Sequence, residues 1–153
     1  MIISFCGHSN FSSTPQLKNK LMELLETTIN GQQVEFYLGG YGGFDSFARS
    51  CCAEYKEHHQ NATLIFVTPY LGDYLNNRKD YIEKYYDTTI YPDIETTPKR
   101  YAIIKRNEWI VERSDLVIGY VQLHFGGAYH SLLHAKRKNK PYINLYDGNY
   151  ELY

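Results

Sequence analysis

The chain has 153 residues, 16 basic and 17 acidic side chains and a net charge of −1, so it is long enough for about one domain. The balanced charge argues against a polycationic nucleic-acid coat, and a composition of 43% hydrophobic and 22% charged residues argues against intrinsic disorder. No apolar run approaches the roughly 20 residues that cross a bilayer and no signal peptide is recognisable, so we expect no membrane partner.

The cysteines and histidines form no recognisable disulfide or metal pattern. Cys6, Cys51 and Cys52 are odd in number and two of them are adjacent, which suits neither a disulfide framework nor a zinc ribbon. His130 and His134 have a spacing that can bind zinc, but no glutamate follows His130 as in the metalloprotease pattern. We therefore expect a reducing, cytoplasmic location, no metal site and no cofactor.

Five short apolar runs predict buried β-strands. Most of them are continuous rather than alternating, which is typical of parallel strands that are covered on both faces. The five runs are Ile2–Phe5, Val34–Leu38, Leu64–Val67, Leu116–Ile118 and Tyr142–Leu145.

Helical patterns separate these runs. Thr14 is suited to cap a helix that begins at Pro15 and ends at Asn30–Gly31. Further helices are predicted after a candidate cap at Asp45, near Asp80–Tyr86 with a loop to Pro92, from about Pro98 to Arg113, and after Gly126–Gly127. This alternation predicts one α/β domain over residues 1–153. Its expected architecture is a Rossmann-like, doubly wound, mainly parallel five-stranded sheet with helices on both faces.

Three segments follow predicted strands, at the edge of an open α/β sheet where ligands bind. The first contains Gly7, His8 and Ser9. Gly7 permits close backbone approach, and the next two side chains can donate or accept hydrogen bonds. These features predict contacts to a ligand; the alternative is a tight turn with a surface histidine.

The second segment has four glycines in five residues, Gly39, Gly40, Gly42 and Gly43. Because a helix follows, their backbone amides are expected to form an anion-binding nest. The spacing matches neither the dinucleotide fingerprint nor a Walker loop, and the alternative is a flexible turn. Asp45 either caps the helix or accepts hydrogen bonds from a ribose.

The third segment follows the fourth predicted strand and again opens a helix with two glycines, Gly126 and Gly127. Free amides at the positive end of a helix dipole suit a phosphate, and Ser131 can add a hydroxyl. Tyr129 either stacks on a base or covers the core. If the first and fourth strands lie side by side at a switch point, all three segments meet in one cleft.

These motifs resemble the SLOG superfamily, the Rossmann-like clan of the DprA-type proteins and the lonely-guy phosphoribohydrolases. The resemblance rests on Phe5–Ser9, Tyr37–Asp45, Arg106–Ile118 and Gly126–Ala128, and it covers nearly the whole chain. It is nearest to the small YpsA-like bacterial branch. The resemblance implies a nucleotide or nucleotide-derived ligand in the cleft and self-association. It also implies that Arg106 reaches the ligand; the alternative is a surface cation.

One departure from the lonely-guy pattern concerns catalysis. Those enzymes carry Pro-Gly-Gly-x-Gly-Thr-x-x-Glu, in which the glycines hold phosphate and the glutamate takes part in hydrolysis of an N-glycosidic bond. Gly126–Gly127 match the paired glycines, whereas Leu133 stands at the glutamate position. Cleavage passes through an oxocarbenium-like state that a carboxylate stabilises, so Glu108 and Asp45 are the remaining catalytic candidates.

The leading hypothesis is a domain that senses or sequesters a nucleotide-derived molecule through two glycine-rich phosphate-binding loops. One alternative is an N-glycosidase that acts on nucleoside monophosphates with a rearranged carboxylate, so the question of catalysis stays open. Another is a protein or nucleic-acid interaction module, suggested by the tyrosine-rich stretch Tyr70–Tyr91 and the basic run Lys136–Lys140. The simpler explanation of that run is a helix end that complements its dipole.

Overall fold

The computed structural model describes residues 1–153 and contains a six-stranded parallel sheet. The strands are β1 (Ile2–Gly7), β2 (Val34–Leu38), β3 (Ala62–Val67), β4 (Thr88–Ile90), β5 (Leu116–Tyr120) and β6 (Tyr142–Asn144). The helices are α1 (Pro15–Ile29), α2 (Gly43–His58), α3 (Asp73–Asn76), α4 (Lys79–Tyr85), α5 (Ala102–Arg113) and α6 (Gly127–Arg137). A 3₁₀ turn at Lys99–Tyr101 leads into α5.

The strand order across the sheet is β4-β3-β2-β1-β5-β6, and all neighbours are parallel. The chain moves outward from β1 to β4, returns across the sheet and continues from β5 to β6. The switch point therefore lies between β1 and β5, where Cys6 pairs with Gly119 and Gly7 with Tyr120. The predicted adjacency of these two strands is confirmed, and ligands of such sheets bind at their carboxyl ends.

The sheet has one strand more than the sequence predicts. β4 is three residues long and lies in the stretch expected to be a loop, at the edge beside β3. Its side chains are half-buried or exposed, so it lacks the apolar run that marks the central strands. The short helix expected just before it is confirmed as α4.

Local signals define α1 as predicted. The Thr14 Oγ1 accepts a hydrogen bond from the Leu17 N–H at 3.1 Å, and Pro15 is the first helical residue. Asn30 ends the helix in the left-handed conformation, with φ of 46°. Leu21 and Ile29 are fully buried and join α1 to the sheet.

The core lies on both faces of the sheet, as a doubly wound fold requires. On one face α1 and α2 pack on alternate residues of β1, including Ile3 and Phe5. On the other face α6 packs on the intervening residue Cys6 and on Val117 of β5. The three cysteines are buried and unpaired. None of the helices combines the length and the hydropathy that a bilayer crossing needs.

Candidate functional site

A cleft of about 540 Å³ lies at the carboxyl ends of β1 and β5. All three predicted segments contribute to its wall. The predicted site residues that line it are Gly7, His8, Ser9, Gly39, Asp45, Arg106, Gly126, Gly127 and Ser131. The predicted residues that do not line it are Gly40, Gly42, Gly43 and Tyr129.

The segment after β1 connects the two sides of the cleft. His8 accepts a hydrogen bond at Nε2 from the Gln122 N–H at 3.0 Å, which ties this segment to the loop after β5. Burial lowers the pKa of His8, in keeping with a neutral ring that acts as an acceptor. A Cβ on Gly7 would lie 2.2 Å from the ring of Phe44, so glycine is required there by packing.

At the start of α2, the protein's own backbone already occupies an amide that could otherwise bind a ligand. Gly42 precedes the helix with φ of 92°, and the Gly43 N–H donates to the carbonyl of Ser9 at 2.8 Å. A Cβ on Gly43 would lie 2.8 Å from the same oxygen, and one on Gly42 would lie 2.8 Å from the Ser9 Cα. These two glycines therefore allow the segment after β1 to pack against the helix.

Asp45 lies in the first turn of α2 and directs its carboxylate back onto the preceding loop. Its Oδ2 accepts a hydrogen bond from the Tyr41 N–H at 3.1 Å, and the amides of Gly39 and Gly40 lie near enough to favour its charged form. Burial raises the pKa of Asp45 to about 6, although these amides and the charge of Arg106 partly offset the rise. Asp45 therefore does not cap the helix. Of the amides in this loop and at the start of α2, that of Tyr41 donates to the carboxylate and that of Gly43 to the Ser9 carbonyl.

Arg106 is buried near this carboxylate and braces the ends of two strands. Its Nη1 donates to the carbonyl of Val67 at 2.6 Å and to that of Gly39 at 3.3 Å, and its Nε donates to Asn107 Oδ1 at 2.8 Å. Its Nη2 donates to no acceptor in the protein, and no enclosed side-chain nitrogen lacks a partner. Nη2 is therefore accessible from the cleft. With 5% of its surface exposed, Arg106 is not the surface cation of the alternative interpretation.

The start of α6 has the same backbone conformation as the start of α2, but its first amides have no acceptor in the protein. Gly126 has φ and ψ of 93° and 173°, against 92° and 173° for Gly42. The amides of Gly127 and Ala128 donate to no acceptor in the protein, as expected in a first helical turn without a cap. Apart from its chain neighbours and the backbone of α6 itself, no atom lies within 4 Å of a Cβ placed on Gly127, and its φ is not positive. Nothing inside the protein requires glycine at 127, whereas a ligand close to the backbone would.

Gly7 is required by packing and Gly127 is not, so substitutions at the two positions should differ in their effect on stability. We expect Gly7→Ala to lower the free energy of unfolding by about 1–3 kcal/mol, because the new methyl overlaps the buried ring of Phe44. Gly127→Ala is the matched control and should be neutral or slightly stabilising. Urea denaturation measures both variants, and similar losses in the two would contradict this account.

Apolar side chains that were not predicted as site residues surround the cleft. Tyr41 and Phe125 are 80% and 66% exposed, and Leu123 and Ile103 are also exposed. Tyr41 and Phe125 each adjoin a glycine of the loops, which was the one signal in the sequence. Exposed aromatic rings at the mouth of a cleft are suited to stack on a planar ring of a ligand.

Asp45 is the only carboxylate in the cleft wall. Glu108 does not line the cleft. Its Oε2 lies 3.7 Å from the Lys105 Nζ on the surface of α5. Leu133, at the position of the lonely-guy glutamate, is buried in the core beneath α6. Tyr129 is also buried there and covers the core. Of the two catalytic candidates, only Asp45 is brought to the site.

Comparisons with known proteins identify the fold. No protein-family model and no curated protein sequence matches this chain. DNA processing protein A (DprA) from Streptococcus pneumoniae superposes with a TM-score of 0.59 and 14% identity, over 92% of this chain and 48% of that one. The chain therefore shares the Rossmann-like fold of DprA.

Two further solved structures share this fold. DprA from Helicobacter pylori, which binds single-stranded DNA, gives a TM-score of 0.60 and 21% identity over 93% of this chain and 63% of that one. TM1055, a structural genomics target, gives 0.56 and 16% over 92% of this chain and 71% of that one. The chain spans about half to two thirds of the two DprA proteins, so the likeness concerns one part of each.

Proposed function

We propose that this chain is a SLOG-type domain that binds the phosphate of a nucleotide or nucleotide-derived molecule at the start of α6. Gly127 carries the proposal. Gly127 lines the cleft, its amide has no acceptor in the protein, and neither packing nor backbone conformation requires glycine there. A phosphate that contacts the backbone explains both features.

The electrostatics of the cleft favour an anion at this place. The amides of the first turn of α6 lie at the positive end of its dipole. Arg106 adds a full positive charge and a free donor, Nη2, to the same cleft. Ser131 lines the cleft one turn further along the helix and offers a hydroxyl. The start of α2 offers less, because the Gly43 N–H already donates to the Ser9 carbonyl.

The remainder of the ligand has an apolar contact surface. A cleft of about 540 Å³ is within the range of small-molecule sites. Tyr41 and Phe125 stand at its mouth, where a nucleobase of a ligand anchored at α6 would find aromatic faces. We therefore propose a phosphate contact at the glycines and a base contact at the aromatic rim.

Binding without turnover is favoured over hydrolysis. Asp45 is the only carboxylate in the cleft wall, its Oδ2 already accepts from the Tyr41 N–H, and the charge of Arg106 acts on it. A carboxylate held in this way is a poor nucleophile. Free base released from a nucleoside monophosphate, and lost in Asp45→Asn, would support the enzyme instead. The YpsA-like branch, the cytoplasmic location and self-association remain predictions.

Single-stranded nucleic acid is the second candidate ligand. The DprA from Helicobacter pylori that shares this fold binds single-stranded DNA, and the aromatic rim suits stacked bases. The basic run Lys136–Lys140 follows from the far end of α6, however, roughly 15 Å along the helix from the cleft. An oligonucleotide that binds far more tightly than a mononucleotide, with affinity falling steeply as salt rises, would favour this candidate.

The direct test is calorimetry with AMP, ADP-ribose and sulfate. We expect saturable binding of the nucleotides and competition by sulfate, because all three would use the amides at α6. A folded protein that binds none of them at millimolar concentration would contradict the proposal.

A substitution at the rim separates the two proposed contacts. We expect Tyr41→Ala to weaken AMP binding about tenfold, because one stacked base contributes about 1–3 kcal/mol, and to leave sulfate binding unchanged. Tyr142→Ala is the matched control, since Tyr142 is exposed on the edge strand β6 and does not line the cleft. Equal losses for AMP and sulfate would place Tyr41 in the phosphate contact and contradict the assignment.

A further inference from the structure

The charged groups of the cleft are few and unevenly placed. Its wall contains one carboxylate, Asp45, one guanidinium, Arg106, and one imidazole, His8. A Cβ on Gly39 would lie 3.2 Å from the Asp45 Oδ2 and 3.3 Å from the Arg106 Nη2. The carboxylate and the guanidinium thus lie beside the same point of the Gly39 backbone, where their charges interact without a direct ion pair.

Other elements around Asp45 supply no second charge. On β1 the thiol of Cys6 stays neutral, since burial and Asp45 raise its pKa to about 12. Between α4 and β4 the hydroxyl of Tyr86 is also neutral, because burial raises its pKa. The ring of His8 accepts from the Gln122 N–H and is uncharged in that role. Arg106 therefore balances Asp45 alone in the free protein.

We propose that an anion bound at the start of α6 competes with Asp45 for the field of Arg106, and that Asp45 takes up one proton when the anion binds. This inference rests on the proposed function. The proton comes from solvent and forms the O–H bond of a neutral carboxyl. Its carbonyl oxygen still accepts from the Tyr41 N–H, so the loop keeps its conformation.

The environment of Asp45 already favours this step. Burial has raised its pKa to about 6 before any ligand arrives, and a nearby negative charge raises it further. The bound state then holds the proton more tightly than the free state. Because proton uptake and binding are linked, anion affinity rises as the pH falls from the pKa of Asp45 in the complex to its pKa in the free protein. Above and below this interval the affinity does not depend on pH.

The test uses sulfate and ADP-ribose, whose charges stay constant between about pH 5 and 8, unlike that of a monophosphate. Calorimetry in Bis-Tris and in imidazole, which differ in ionisation enthalpy, measures the protons taken up. If binding raises the pKa by one unit, we expect about half a proton at pH 6.5 and about tenfold tighter binding at pH 5 than at pH 8. Asp45→Asn should abolish both effects.

His8→Gln is the control, because its amide oxygen can replace Nε2 as the acceptor for Gln122. Proton uptake that persists in this variant supports Asp45 even if Asp45→Asn does not fold. Uptake lost in His8→Gln, or binding of both probes without uptake, would overturn the inference and leave the proposed function standing. Failure of both probes and of AMP to bind would instead overturn the proposed function.

Discussion

Gly127→Asp should abolish binding of nucleotides and sulfate, with affinity lowered at least about 100-fold. The new carboxylate would stand at the amides that are proposed to hold the phosphate. Two like charges about 4 Å apart at a protein surface repel by about 4 kcal/mol, which exceeds this loss. Folding should not suffer, because a Cβ on Gly127 meets nothing beyond its chain neighbours and its own helix backbone, and an acidic residue in the first turn stabilises a helix.

The control for this variant is Gln16→Glu. Gln16 is exposed in the first turn of α1 and does not line the cleft, so the substitution adds the same charge at a comparable place in another helix. Calorimetry should show unchanged binding for the control, and urea denaturation should show two folded proteins. Binding that survives in Gly127→Asp, or that is lost equally in Gln16→Glu, would contradict a phosphate contact at α6.

Arg106→Leu should lower the free energy of unfolding by about 3 kcal/mol and also abolish anion binding. The substitution leaves the buried carbonyl of Val67 without its donor, and each such group costs about 1–3 kcal/mol. It also removes the only positive charge near Asp45. The loss is therefore both structural and electrostatic.

The pH dependence of the stability loss separates the effect of the lost hydrogen bond from that of the lost charge. Asp45 already has a pKa above its unfolded value, so its contribution to stability falls as pH rises through the interval between the two values. Without Arg106 the folded pKa rises further and the interval extends upward. Arg106→Leu should therefore lose more stability at pH 8 than at pH 5, measured by urea denaturation.

Arg137→Leu is the matched control for this loss. Arg137 is exposed in the last turn of α6, so the same substitution there should change stability by less than about 1 kcal/mol. A small, pH-independent loss in Arg106→Leu would show that the guanidinium does not balance Asp45.

Much of the fold is predictable because it depends on local signals. The cap at Thr14, the proline at 15 and the left-handed Asn30 define α1, and each signal acts within a few residues. Continuous apolar runs mark the central strands because helices cover both of their faces. The edge strand β4 has no such apolar run, since one side of it has no neighbouring strand and its side chains remain partly exposed.

The site is only half predictable, and the two glycine pairs show why. Gly42–Gly43 and Gly126–Gly127 look alike in the sequence and adopt the same backbone geometry. Their difference comes from a distant contact, since the Ser9 carbonyl covers the first pair and nothing covers the second. For Asp45 the sequence leaves the choice open, and the carboxylate accepts from the Tyr41 N–H four residues earlier instead of capping α2.

Titration of ¹⁵N-labelled protein with AMP tests the central claim most directly, because each backbone amide reports its own environment. We expect the largest shifts at the amides of Gly127 and Ala128, which have no acceptor in the protein. The amide of Gly43, bonded to the Ser9 carbonyl, should move far less. Saturable AMP binding that leaves Gly127 and Ala128 unshifted would contradict a phosphate contact at the start of α6.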